Sequence, residues 1–134
     1  EDFILLINNL EKENNAVTWA ICTPENSKLQ GTICLWNFKK PHYRAEVGYA
    51  LHPDLQGKGL MNEALNAVLD YGFNSLKLHS IEAIVNPANE ASIGILLKNN
   101  FTREAYFKEN FYYNRKFLDS AVYSLLARDF QFNP

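Results

Sequence analysis

Residues 56–61, Gln56-Gly57-Lys58-Gly59-Leu60-Met61, have the makings of an anion cradle. Glycines at 57 and 59 remove side chains that would hold an anion away from the backbone amides. A helix starting at Leu60 would aim its first N–H groups and the positive end of its dipole at the same point. Lys58 could add positive charge, or it could be an ordinary solvated loop lysine. The pattern is not a P-loop, which needs four residues between its glycines and then Lys with Ser or Thr for magnesium. It is not a dinucleotide fingerprint either, because the third glycine is missing and the strands before it form a meander. A plain Gly-rich turn between strand and helix would look the same, so the flanking residues must decide.

Three other positions could carry chemistry. Glu46 lies on the segment leading into the loop, and is either a base or a strand carboxylate paired with Arg44 or Lys58. Asn89 is a plausible helix N-cap. Ser92 falls in the first turn of the same helix. His42, His52 and His79 lack metal-ligand spacing, so no metal is expected.

The elements that must position these groups follow from periodicity. Phe3, Ile4, Leu6, Ile7 and Leu10 suggest a short helix. Residues 16–23 and 29–38 read as strands joined by Pro24-Glu25-Asn26-Ser27, and residues 44–52 as a third strand. Met61, Leu65, Val68, Leu69, Gly72 and Phe73 recur at helical spacing over 60–74. Residues 81–85 form a short strand. A second helix follows Asn89, with Ile93, Leu96 and Leu97 on its inner face. Residues 101–113 and 116–127 form a long hairpin, with Asn114-Arg115 at its tip despite the missing glycine. The order α-β-β-β-α-β-α-β-β predicts an α/β domain with a mixed, twisted sheet flanked by helices.

The chain has 134 residues, which fits a single domain over 1–134. Its net charge of -2, with both signs interspersed, argues against a dedicated nucleic-acid or membrane-surface binder. No apolar run is long enough to span a bilayer and no signal-peptide pattern opens the chain, so a cytoplasmic location is expected. Cys22 and Cys34 are then expected to be reduced thiols. Glu1 opens directly on an amphipathic segment, as a trimmed chain would.

With the loop, three more segments complete a resemblance. Asn86-Pro87-Ala88-Asn89-Glu90-Ala91-Ser92 with Leu96-Leu97-Lys98-Asn99-Asn100-Phe101 is similar to an Asn-x-x-Ser helix and its closing Gly-Phe. Tyr112 to Asp119 with Tyr123-Ser124-Leu125-Leu126 is similar to a terminal hairpin. In this order, over roughly residues 16–130, the chain resembles GNAT-type N-acetyltransferases, in the branch containing the ribosomal-protein N-terminal (alanine/serine) acetyltransferases. Met61 and Asn100 depart from the usual Gly/Ala and Gly. The resemblance implies a GNAT-like acyl-CoA N-acyltransferase fold without its first strand and helix, residues 1–14 matching the family's second helix.

It further implies transfer of acetyl from acetyl-CoA to a primary amine by direct attack on the thioester. The acceptor expected first is a protein N-terminal amine, then a small amine such as an antibiotic or polyamine. A non-catalytic CoA-binding protein is the alternative from another class. The attacking amine must be neutral, which calls for a base. The carbonyl oxygen needs an N–H donor. The leaving thiol, with a pKa near ~8.5, departs with little help from an acid. The resemblance casts Glu46 as base through water and Ser92 as proton donor to sulfur. It gives the cofactor to the backbone of Ala50 and Leu51, to Gln56, Gly57, Lys58, Gly59, Leu60 and Met61, and to Asn89. Leu96 stands where many relatives place a tyrosine acid. The expected partners are acetyl-CoA and the amine, with a homodimer compatible.

Overall fold

A computed structural model describes the backbone of residues 4–11, 16–23, 26–53, 57 and 59–132, and the side chains of 16–22, 31–53, 57 and 59–132. Seven strands form one sheet in the order β1-β2-β3-β4-β5-β7-β6. β1 (Ile4–Glu11), β2 (Ala16–Thr23), β3 (Asn26–Lys39) and β4 (Arg44–Leu51) are an antiparallel meander. α1 (Leu60–Asp70) carries the chain from β4 to β5 (Ser80–Val85), which pairs parallel to β4. A parallel pair needs such a crossover, and a helix supplies it. After α2 (Glu90–Lys98), β6 (Thr102–Tyr113) and β7 (Lys116–Leu126) form the last hairpin, β7 lying antiparallel to β5.

Alternation decides which face is buried. Val17, Trp19, Ile21, Ile33, Leu35, Ala45, Val47, Ile81, Ala83, Tyr123 and Leu125 are buried on one face. Against them pack Met61, Ala64, Leu65, Val68 and Leu69 from α1, and Leu96 from α2 joins the same cluster. Each fully buried aliphatic chain here contributes about 1.5–3 kcal/mol. The end of α1 widens into a π turn over Tyr71–Ser75. A Cβ on Gly72 would sit 2.9 Å from Ile81 Cδ1, so the glycine lets this turn press onto β5. On the opposite face, Trp36 and Ile84 stay exposed.

Most expected elements are present, with two corrections. Residues 4–11 are a strand, not a helix, and pair with β2 from Ile4↔Cys22 to Glu11↔Ala16. Ile4, Leu6, Ile7 and Leu10 fit either period over so short a run, and sheet pairing overrides the local pattern. Leu97 is 54% exposed while its neighbour Leu96 is fully buried. One residue is a 100° step on a helix, which carries Leu97 off the inner face. Of the expected turn at 24–27, Pro24 and Glu25 lie outside the described residues, and Asn26 and Ser27 already belong to β3. Asn114 and Arg115 take φ of 54° and 64°, the two left-handed residues of a tight hairpin turn. Cys22 and Cys34 are both free thiols.

Candidate active site

The β4–β5 ladder is short. It runs Arg44↔Ser80, Ala45↔Ile81, Glu46↔Glu82 and ends there. Beyond Glu46 the two strands fork, and Val47–Leu51 on one side and Ala83–Val85 on the other become walls of a cleft of about 740 Å³. Its remaining walls are the N-terminal end of α1 and one side of α2, including Gly57, Gly59, Met61, Asn89, Ser92 and Lys98. The fork therefore brings most of the predicted cofactor residues together: Ala50, Leu51, Gly57, Gly59, Leu60, Met61 and Asn89 all line one cleft. Gln56 and Lys58 lie outside the described residues.

The start of α1 is shaped by its glycines. Gly57 and Gly59 have φ of +82° and +80°, the left-handed region where only glycine is unstrained. A Cβ at either position would meet nothing within 4 Å, so each leaves open space above the backbone. Gly59 is the N-cap and offers no side chain to the first turn of α1. Helices leave their first N–H groups without intrahelical partners, and here no cap side chain takes one up. That is the donor set an anionic pyrophosphate fits.

The start of α2 is different. Asn89 Oδ1 accepts from Ser92 N at 3.1 Å, a side-chain cap. Asn89 thus serves as the helix cap while also facing the cleft. The Ser92 hydroxyl lies 2.7 Å from the Tyr49 hydroxyl, and both residues line the cleft. Burial pushes the Tyr49 phenol above its ordinary range, partly offset by the bond to Ser92. Asn99 Nδ2 donates to Asn62 Oδ1 at 2.7 Å and so ties the end of α2 to the start of α1.

Glu46 sits at the fork itself. Alternation puts it on the sheet face opposite Ala45 and Val47. A Cβ on neighbouring Gly48, on that same face, would contact Cys34 Sγ and Trp36 Nε1 at 3.6 Å. Glu46 is only 8% exposed, so it is not the solvent-facing strand carboxylate of the bland alternative. It is also not one of the residues lining the cleft; it stands one residue below Val47, where the cleft begins. Burial raises its pKa, a long 3.5 Å bond from Asn37 Nδ2 pulls it down, Glu82 pushes it up and Lys39 pulls it down. Glu46 and Arg44 do not pair. Arg44 is instead spent on β5 and β7, donating to Glu82 at 2.9 Å, Ser80 at 2.8 Å and Ser124 at 2.8 Å. That pairs Glu82 and, among the described residues, leaves Glu46 without a cationic partner of its own at contact distance.

Leu96 is fully buried in the core and takes no part in the cleft. Tyr112 and Tyr113 are exposed at the hairpin tip, and Tyr123 is buried in the core. Sequence reasoning missed Tyr49 and Lys98, which also line the cleft. The signal for Tyr49 was its phase in β4: residue 49 shares a face with Ala45 and Val47, toward the helices. Among the described residues no group of His, Cys, Asp and Glu is placed to hold a metal ion. None of the described helices is long and apolar enough to cross a membrane.

A mixed sheet whose one parallel pair forks, with a glycine-started helix at the mouth of the fork, is the fold of the acyl-CoA N-acyltransferases. Residues 1–102 match the family described as acetyltransferase (GNAT) domain, and the chain belongs to that family. It is 35% identical over 129 residues to the uncharacterized N-acetyltransferase p20 of Bacillus licheniformis, covering 96% of this chain and 72% of that protein. The solved ribosomal-protein-S5-alanine acetyltransferase of Vibrio fischeri superposes with a TM-score of 0.83 at 32% identity, covering 93% of this chain and 68% of that one. Spermidine N(1)-acetyltransferase of Escherichia coli is 34% identical over 87 residues, covering 65% of this chain and 47% of that protein. The chain thus spans between about half and about three quarters of the length of these relatives.

Proposed function

We propose that the protein transfers an acetyl group from acetyl-CoA to the α-amine at a polypeptide N-terminus, with Glu46 as base. The observation that carries this reading is the fork: it opens a cleft with an anion-ready helix start on its wall, beginning one residue beyond a buried carboxylate that has no close cation among the described residues. In this reading the amides at the start of α1, with Gly57 and Gly59, hold the pyrophosphate, and Gln56, Lys58 and Met61 complete that loop. The strand segment Ala50–Leu51 and the Asn89 side chain hold the pantetheine arm. When bound, acetyl-CoA supplies the thioester whose carbonyl is attacked.

The chain's own residues then have two tasks. Glu46 draws a proton, through water, from the incoming ammonium, and its upward-shifted pKa makes it a better base than an exposed carboxylate. Ser92 meets the departing sulfur. An α-amine has a pKa of about 7.7–8.0, against about 10.4 for a lysine side chain, so a carboxylate has less work to do for a polypeptide N-terminus. The similarity to the ribosomal-protein-S5-alanine acetyltransferase of Vibrio fischeri supports the same acceptor class. A polyamine is the second candidate, supported by the spermidine acetyltransferase similarity over its shorter span.

The test is release of free CoA across peptides with different N-termini, polyamines and aminoglycosides. Peptides should be acetylated fastest. Acetylation of polyamines alone would remove the N-terminal reading, and CoA binding without turnover on any amine would remove the enzyme. Glu46→Gln should lower kcat by about 10²-fold or more, with CoA affinity retained. The acidic limb of the wild-type pH–rate profile should lie above the ordinary glutamate range and vanish in the variant. An unchanged rate would remove Glu46 as base.

A further inference from the structure

Two hydroxyls face each other inside the cleft, and the reaction as described uses only one. Tyr49, on β4, and Ser92, on α2, are 2.7 Å apart, and either can be the donor. A hydroxyl pair sharing one hydrogen bond spends one of its two O–H groups, leaving the other to point elsewhere. Phenol is the stronger acid and hence the better donor, so the favoured arrangement has Tyr49 donating to Ser92 Oγ. The Ser92 proton is then directed away from Tyr49, and accepting a bond makes it a stronger donor. Ser92 is fixed at a second point by Asn89, which accepts from its backbone N–H. A serine without such a partner would spread over three staggered rotamers.

We propose that Tyr49 is a positioning residue whose hydroxyl turns the Ser92 O–H into the cleft, where it donates a hydrogen bond to the sulfur leaving the thioester. This rests on the reading above, that Ser92 meets that sulfur. The C–S bond breaks and its electron pair stays on sulfur. No proton crosses from the pair, because a thiol of pKa near ~8.5 is a stronger acid than either hydroxyl. Burial raises the Tyr49 phenol further, which keeps it protonated and able to donate throughout. Tyr49 therefore acts through Ser92 rather than as a general acid. Among the described residues, the charged side chains lining the cleft are those of Glu90 and Lys98.

The test compares binding of CoA and desulfo-CoA to the wild type, Tyr49→Phe and Ser92→Ala by calorimetry, above the thiol pKa. Thiolate ultraviolet absorbance reports the bound thiol's pKa. The wild type should prefer CoA over desulfo-CoA by about 10- to 100-fold, the size of one hydrogen bond to a charged group, and should lower the thiol pKa. Tyr49→Phe keeps the ring, so it should bind desulfo-CoA as the wild type does while losing most of the preference and of the pKa shift. Ser92→Ala should lose both, and the double variant should be no worse than Ser92→Ala. A Tyr49→Phe variant with the full preference overturns the proposal. So does one that weakens both ligands equally, since that marks a packing role. If the wild type binds neither ligand, the acetyl-CoA reading itself fails.

Discussion

Two helices begin at the same cleft, and they begin in opposite ways. α2 starts with Asn89, whose side chain reaches back to the Ser92 N–H and closes the helix with the protein's own oxygen. α1 starts with Gly59, which has no side chain to do this and sits at φ +80° with open space above it. A side-chain cap is worth about 1 kcal/mol, so leaving one out at a helix on which the core packs has a cost. The difference teaches what each end is for. The capped end fixes Ser92 in a defined place, while the uncapped end leaves its donors without a cap side chain, as the proposed pyrophosphate site requires.

Filling the open end should have the largest effect. Gly59→Asp places a carboxylate where the pyrophosphate would sit, and aspartate tolerates the left-handed backbone at a cost of about 1–2 kcal/mol. The protein should stay folded while CoA affinity, read by calorimetry, falls between about 10- and 100-fold from lost dipole attraction and added repulsion. Retained affinity would mean that this end does not hold the anion.

Next comes the cleft wall. A Cβ on Gly31 would lie 2.6 Å from the Ala50 carbonyl oxygen, so Gly31→Ala must move β4. The expected loss is about 1–3 kcal/mol of stability in chemical denaturation, with weaker CoA binding alongside. Removing the cap at the closed end should be milder. Asn89→Ala should cost about 1 kcal/mol of stability and shift CoA affinity less than Gly59→Asp does. The reverse ranking would exchange the roles of the two helix starts.

The smallest effect is a pH dependence. Burial raises the folded-state pKa of Glu46, so the folded protein favours the protonated form. Its destabilising influence is absent below the ordinary glutamate pKa and grows as pH rises through the raised one. Stability of the wild type should therefore decline over that window, and Glu46→Gln should flatten the decline in thermal denaturation followed against pH.

Much of this was legible in the sequence because the carriers were local. Two glycines before a periodic run marked the open helix start, and Asn89 three residues before Ser92 marked the closed one. The strands from 16 onward followed from alternation and turn residues. What was not legible depends on distant partners. Residues 4–11 fit two periods, and only pairing with β2 selects the strand. The burial of Glu46 needs Asn37, Trp36 and Cys34 from the neighbouring strand. The Tyr49–Ser92 bond joins residues 43 apart, and its geometry exists only once β4 and β5 fork.

Amide hydrogen–deuterium exchange with and without CoA decides whether the glycine-started end of α1 is the anion site. CoA should slow exchange at the α1 start, residues 60–62, and along β4 residues 47–51, while the hairpin tip at 112–116 exchanges as before. CoA binding that leaves residues 60–62 unprotected, or that protects the hairpin tip instead, would contradict it.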